Sequence, residues 1–406
     1  MSAAIRPSPL APALALRRFV RCRSCIAGKP LRKQLSGLTA AVEDPWSALG
    51  RNNRIVDVSG LADQMRQEVR DYTGQLQLQQ RRPIRLAGIF ATQAMTESQR
   101  VEAEVYATHI SQTLQEDGLA YEHVECRGSQ PADVDAAIQK MNQRSDVHGI
   151  LVYYPIFKNM RHQHNRPRQY LNASTGVYYK SCDDYLRDRV HPAKDVEGLG
   201  HGYNSRYHFR ARARRGDHSN IYVPCTALAV ARILETYHPL EHHPNGNAWK
   251  DVTVTVVNRS EIFGRPLAAM LALKGAHVFS VDENSILKFC PNGRMKRLSH
   301  LDHHQHPQAV SLEWCLQQSN IAVTGVPSPQ FSLPLDALLA EKSSSSDTAV
   351  TIVNVSEFDN VMEEDVLERP DDDNITFIPS VGKVTVAALE HNLLNLHKQQ
   401  QQQPHY

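Results

Sequence analysis

The stretch Val252-Thr-Val-Thr-Val-Val257-Asn258-Arg259-Ser260-Glu-Ile-Phe-Gly264-Arg-Pro266 decides how the chain is read. Its first six residues are all β-branched, as in a strand buried within a parallel sheet. The polar break at Asn258 is followed by helical periodicity over Arg265–Lys274 and by a second apolar run, His277–Val281. A strand, turn and helix in this order aim unpaired backbone N–H groups and the positive end of a helix dipole at one point, which suits a pyrophosphate. Arg259, Ser260 and Gly264 are candidates to cradle it, with Pro266 in the same turn. Asp282 follows Gly264 by 18 residues, close to the ~20 at which an acid takes ribose hydroxyls. Asn258 stands where the usual G-x-G-x-x-G has its first glycine, and Asn is among the few residues that tolerate left-handed backbone angles. An ordinary βαβ crossover carries the same local pattern, so this turn alone leaves both readings open.

Outward from it, the chain alternates expected helices and strands from about Arg54, the mark of an α/β protein with a mostly parallel sheet. Helices are expected at Leu61–Leu76, Glu97–Gly118, Pro131–Arg144, Leu228–Tyr237 and Val384–His397. Strands are expected at Ile84–Phe90, Tyr121–Cys126, Val147–Tyr154, Ile321–Thr324, Val350–Val355 and Ile375–Ile378. Lys158–Cys182 is polar and irregular and reads as a surface insertion. The glutamines Gln399–Gln403 read as a disordered tail, residues 399–406, with no reason to pack.

The 406 residues include 45 Lys+Arg and 43 Asp+Glu, but the first 42 hold eight basic residues and no acidic one. The remainder, 37 basic against 43 acidic, is mildly acidic, which argues against a nucleic-acid-binding surface. No run approaches the ~18 apolar residues of a membrane span. Residues 1–45, rich in Arg, Ala and Ser, have the chemistry of a transit peptide, with a mitochondrial destination expected and a plastid or the cytoplasm as alternatives. The seven scattered cysteines argue against a disulfide framework, and Cys22-Arg-Ser-Cys25 lacks the second pair that would complete a metal site. His242-His243, His303-His304-Gln-His306 and the Ser343–Ser346 run read as solvated loops; no metal is expected.

Five further segments accompany the turn: Val152-Tyr-Tyr-Pro155, Lys194-Asp195-Val-Glu197-Gly198, Pro224-Cys225-Thr226, Thr324-Gly325-Val-Pro327 and Gly382-Lys-Val-Thr385. Together, in this order, they resemble the methylenetetrahydrofolate dehydrogenase family over about Arg54–Lys398. The resemblance implies an N-terminal α/β catalytic domain (46–226, completed by the C-terminal helix 379–398) facing a Rossmann-type NAD-binding domain (227–378) across a cleft. Tyr106 then corresponds to the tyrosine that stacks on the folate ring system, although for a lone helical tyrosine without the other motifs core packing is the favoured reading. Asp195 and Glu197 fall on the acids of a Lys-Asp-Val-Asp-Gly motif, the second of which accepts hydrogen bonds from the pterin. Pro224, Cys225 and Thr226 lie at the domain junction near the nicotinamide, with Cys225 as packing because no His/Asn partner pattern supports a nucleophile. Asn258, Arg259, Ser260, Gly264, Pro266, Asp282, Gly325, Pro327 and Thr385 form the cofactor set.

Two departures bear on activity. Relatives that also hydrolyse the methenyl product carry a lysine one helical turn after the tyrosine, where this chain has Ile110. The stretch before the last helix is shortened to Pro379-Ser-Val-Gly-Lys-Val-Thr385, with Lys383 where proline is usual. With Asn258 and Tyr153, these resemble the monofunctional NAD-dependent branch known from yeasts. The expectation is oxidation of 5,10-methylenetetrahydrofolate to the methenyl form by hydride transfer to NAD⁺, without cyclohydrolase activity, in a homodimer. A bifunctional dehydrogenase/cyclohydrolase, a shikimate-type dehydrogenase (for which no Lys/Asp pair can be placed) and a non-catalytic folate or nucleotide binder are the alternatives. Asp282-Glu283, with no adjoining basic residue in the sequence, favours NAD over NADP by repulsion of a 2′-phosphate. Arg210, Arg212, Arg214 and Arg215 are candidates to hold a polyglutamate tail.

Overall fold

The computed structural model describes residues 54–157, 171–172, 177–179, 181–200, 224–240, 248–291, 293–298, 310–340, 349–369 and 374–402. All lie in one compact unit spanning residues 51–406. The leader with Cys22 and Cys25, the arginine run Arg206–Arg215, His242-His243, His303–His306 and Ser343–Ser346 fall outside the described residues.

The first half runs α1 (Ser59–Leu78), β1 (Arg85–Phe90), α2 (Glu97–Glu116), β2 (Ala120–Glu125), α3 (Pro131–Gln143) and β3 (Gly149–Val152). A short pair, β4 (Leu171–Asn172) and β5 (Val177–Tyr178), then leads into α4 (Cys182–Arg187) and a 3₁₀ turn at Pro192–Lys194. The second half runs α5 (Cys225–Tyr237), β6 (Thr253–Val257), α6 (Gly264–Lys274), β7 (His277–Asp282), β8 (Ser285–Phe289), β9 (Met295–Leu298), α7 (Leu312–Gln317), β10 (Ile321–Thr324), α8 (Leu335–Leu339), β11 (Val350–Asn354), α9 (Glu363–Leu367), β12 (Ile375–Ile378) and α10 (Gly382–Gln402).

Local chemistry sets the ends of these elements. Thr96 accepts from the Gln99 N–H while the Gln99 side chain accepts from the Thr96 N–H, a reciprocal cap that starts α2. Gly118 at φ 75° follows the end of α2 and Gly275 at φ 119° closes α6, both in the left-handed region where glycine has no Cβ penalty. Pro131 opens α3, where a missing N–H costs nothing.

β1, β2 and β3 form a parallel sheet in the order β2-β1-β3. Along β1 the side chains alternate between two cores: Leu86 and Phe90 join α1, α2 and α10, whereas Ala87 and Ile89 join α3 and α4. The second sheet has the order β12-β11-β10-β6-β7-β8-β9, parallel through β7 and finished by the antiparallel β8–β9 hairpin. One face packs against α5 and α6, with residues from α1 and α10, and the other against α7, α8 and α9. Both sheets are therefore covered on both sides, and α1 and α10 serve both halves. No helix among the described residues is long and apolar enough to cross a membrane.

Two expectations are corrected. The glutamine run is not a disordered tail from residue 399: α10 continues through Gln402, and the Gln400 amide donates to the carbonyls of His148 (3.0 Å) and Ala193 (2.7 Å). The end of the Lys158–Cys182 segment is not surface: Tyr179 is fully buried, with its hydroxyl donating to Asp188, and Cys182 is buried at the head of α4. The β8–β9 hairpin and the short helices α7, α8 and α9 are additions that the sequence pattern does not announce.

Candidate active site

The first wall of the site is aromatic. The Tyr153 ring stacks on Phe90 (centroids 4.1 Å apart) and meets Tyr106 edge-on at 6.2 Å. The Tyr153 hydroxyl is 3.1 Å from that of Tyr121, so the one polar atom of a buried ring is satisfied. Tyr106, on α2, keeps 38% of its surface exposed while the Tyr153 and Phe90 rings are buried. Burial of the phenol and the nearby Glu197 carboxyl push the Tyr106 pKa above its ordinary value. Ile110, one turn on, is fully buried among Leu86, Leu114 and Leu389, and so closes the wall with an apolar side chain.

The second wall is the loop Lys194–Gly200. Lys194 donates from Nζ to the carbonyls of Met141 (3.0 Å), Asn142 (2.8 Å) and Arg144 (2.6 Å), capping the C-terminus of α3. Asp195 is buried, and its carboxylate accepts from the Gly200 N–H at 2.8 Å and from other backbone N–H groups of its own turn. This acid shapes the loop. Glu197 is different: burial, with the like charge of Asp195 second, pushes its pKa up to about 8 against the counteracting Arg187. Between the two acids, the Val196 carbonyl accepts from Asn392 Nδ2 (2.8 Å) and from the Cys225 thiol (3.3 Å). Burial and then Glu197 hold the Cys225 pKa well above the ordinary thiol range, so at neutral pH it is a hydrogen-bonded thiol. Thr226 follows it, half-buried in the first turn of α5.

The cofactor candidates gather at the carboxyl ends of β6, β7 and β10. The chain leaves β6 toward β7 on one side, while β10 lies on the other, so a crevice opens where the strand order reverses. Asn258 sits there at φ 154°. Its Nδ2 donates to the Gly325 carbonyl at 2.6 Å and its Oδ1 accepts from the Ser260 N–H at 2.6 Å, joining the two loops that flank the crevice, which a glycine could not do. A Cβ on Gly264 would lie 1.7 Å from the Asn258 carbonyl oxygen, so only glycine lets the head of α6 approach the turn. Pro266 lies in the first turn of α6. Arg259 is spent on structure: its guanidinium donates to the Ser280 carbonyl (2.5 Å) and to the hydroxyl (2.6 Å) and carbonyl (2.5 Å) of Ser285. It also lies 3.8 Å from Asp282, whose side chain remains 51% exposed, so a basic residue adjoins this acid in space although none does in sequence. Pro327 is exposed beyond Gly325, whereas the Thr385 hydroxyl donates to the Val381 carbonyl in the first turn of α10. Glycine at 264, the positive end of the α6 dipole beside the Asn258 turn and a half-exposed acid closing β7 fit a dinucleotide, with the Arg265 N–H already taken by the Ser260 carbonyl.

Three supporting residues escape the sequence reading. Asn360, fully buried, accepts from the Thr324 hydroxyl and the Val326 N–H and donates to the Val326 carbonyl, fixing the loop after β10. Asn392 reaches across 196 positions to Val196. A Cβ on Gly149 would meet Val196 Cγ1 at 2.3 Å, so glycine there lets the acidic loop lie against β3. Of the three, only a glycine in a strand is a signal in the sequence.

A family model described as tetrahydrofolate dehydrogenase/cyclohydrolase, catalytic domain, matches residues 56–167. The methylenetetrahydrofolate dehydrogenase [NAD(+)] of Dictyostelium discoideum is 34% identical over 271 residues, 66% of this chain and 74% of that protein. The Saccharomyces cerevisiae protein of the same name is 33% identical over 300 residues, 72% and 82% of the two chains. The solved structure of the NAD-dependent 5,10-methylenetetrahydrofolate dehydrogenase from Saccharomyces cerevisiae superposes with a TM-score of 0.65 at 27% identity, covering 86% of this chain and 98% of that one. A bifunctional protein FolD of Roseobacter denitrificans is more distant, at 27% over 170 residues, 42% of this chain and 44% of that one.

Proposed function

Since the chain belongs to the methylenetetrahydrofolate dehydrogenase family, we propose that it oxidises 5,10-methylenetetrahydrofolate to 5,10-methenyltetrahydrofolate with NAD⁺ as the acceptor. The observation that carries this reading is the pairing of Tyr106 and Glu197 on one side of the molecule with the Asn258–Gly264 turn and Asp282 on the other. When bound, NAD⁺ supplies a nicotinamide that accepts the hydride. The turn between β6 and α6, at the positive end of the helix dipole, would face its pyrophosphate, and Asp282 would hold its ribose hydroxyls.

The residues of the chain do the positioning. Glu197, poorly solvated and next to Asp195, gains from the paired N–H donors of a pterin, which replace the water it lacks. Tyr106 offers its exposed face for stacking, and the Phe90–Tyr153 stack behind it excludes water. Loss of a hydride from a carbon flanked by two nitrogens leaves a delocalised cation, so no side chain has to take a proton, and the protonated, hydrogen-bonded Cys225 has no covalent role. Ring opening of that cation is different, since it needs proton transfer. Ile110 provides none, so the methenyl product is released intact.

Arg259 is turned onto Ser280 and Ser285 rather than held open for a 2′-phosphate, which together with Asp282 favours NAD over NADP. Residues 1–45 direct the chain to mitochondria, the enzyme acts as a homodimer, and Arg210, Arg212, Arg214 and Arg215 take the glutamate tail of cellular folates; leader composition, family and arginine density support these three readings in turn. Purified protein mixed with methylenetetrahydrofolate and NAD⁺ forms reduced nicotinamide, followed by absorbance, and the methenyl signal then decays no faster than in buffer. Absence of the first signal refutes the dehydrogenase; rapid decay of the second refutes the monofunctional assignment.

A further inference from the structure

The loop that carries Glu197 is held from α10 at two points. Upstream, the carbonyl of Ala193, in the 3₁₀ turn that precedes Asp195, accepts from Gln400 Nε2 at 2.7 Å, and the same amide donates to His148 at the approach to β3. Downstream, the Val196 carbonyl accepts from Asn392 Nδ2 at 2.8 Å. Asn392, Leu396 and Gln400 recur every fourth residue, hence along one face of α10, and the outer two are about 12 Å apart along the axis. Asn392 is buried and Gln400 half-buried, whereas Gln401 and Gln402 are exposed. Gln400 is thus docked by the fold, in contrast to the exposed Gln401 and Gln402. It reaches the 3₁₀ turn at Ala193 from α10, whereas the Lys194 ammonium ties the same turn to α3.

We propose that Gln400, acting with Asn392, is a positioning residue for substrate recognition: α10 braces the turn on both sides of Asp195 and so fixes where the Glu197 carboxylate meets the pterin. The inference rests on the dehydrogenase reading given above. A carboxylate that must accept two hydrogen bonds at once tolerates little displacement, so a loosened brace weakens the folate complex and leaves the cofactor crevice as it was.

The test compares Gln400→Met, which keeps length and helix propensity but removes both donors, with Gln401→Met as the exposed control. Gln400→Lys restores a donor of similar reach, and a chain ending at Lys398 removes the run altogether. For Gln400→Met and the shortened chain, the KM for methylenetetrahydrofolate rises about fivefold, with kcat and the KM for NAD⁺ unchanged within about twofold. Gln400→Lys recovers part of the loss, and Gln401→Met behaves as the wild type. An active wild type with an unchanged folate KM in Gln400→Met, or one in which both KM values move together with a lowered Tm, overturns the brace. A wild type that forms no reduced nicotinamide overturns the dehydrogenase reading itself, and the brace with it.

Discussion

At Gly264 the 1.7 Å that would separate a methyl group from the Asn258 carbonyl oxygen leaves no room for adjustment, because the obstacle is backbone. Gly264→Ala opens the turn, and the KM for NAD⁺ rises at least about tenfold, ~1.4 kcal/mol, while folate binding by fluorescence or calorimetry persists. Ile110 is a second decisive position. Ile110→Lys places an ammonium among Leu86, Leu114 and Leu389, costs ~3 kcal/mol or more in denaturant unfolding, and produces no cyclohydrolase because the wall stays apolar and dry. Glu197 gives a pH signature. Its pKa in the free enzyme is raised to about 8, and the ionised form is the acceptor, so kcat/KM for the folate climbs as pH rises through about 8. Glu197→Gln flattens that limb; an unchanged profile would show that another group sets it. Gly264 and Asp282 were legible in the strand-turn-helix pattern and its spacing, whereas Glu197 was singled out only through the family resemblance. Asn360 and Asn392 were not, since a polar residue that acts 34 or 196 positions away leaves no local pattern.

Among elements, the strands of the parallel sheets were readable because burial on both faces demands unbroken β-branched and apolar runs, as in β6, β10 and β11. β9 was not: Met295-Lys-Arg-Leu298 lies at a sheet edge with three exposed residues and carries neither alternation nor an apolar run. The C-terminal glutamines misled through composition. Glutamine is a good helix former, and the docking of Gln400 supplies the tertiary contact that composition cannot show. The 3₁₀ turn depends similarly on one side chain. Lys194→Met frees three carbonyls at the end of α3 and lowers unfolding stability by about 1–3 kcal/mol, measured in urea; a change below experimental error would show that water replaces the ammonium without loss.

Across the whole molecule, buried ionisable groups bound the pH range of stability from both sides. His238, bonded to the Thr351 hydroxyl at 2.9 Å, is pushed by burial down to about 4. Its contribution is fully present above the unfolded value near 6.5 and is lost as pH falls toward 4, up to about 3 kcal/mol. Glu390 has the opposite sign: burial first and Asp117 second raise its pKa, with Arg66 3.7 Å away, so stability is fully present below the ordinary carboxylate range and declines as pH rises through the raised value. Denaturant titrations from pH 4 to 9 therefore show a dome, with the acid limb flattened by His238→Gln and the alkaline limb by Glu390→Gln; limbs that survive both changes would place the titrating groups elsewhere. Glu390 lies on the same helix as Leu389, Leu393 and Val384, which serve the cores of both halves. That sharing has a temporal meaning. α10 leaves the ribosome after every strand of both sheets has been made, so a nascent chain halted before residue 382 displays the bare apolar flank of β1 and β3 along with that of α1. Closure thus waits until α10 itself has been synthesised, and until then the nascent polypeptide stays pliable and exposed to chaperones.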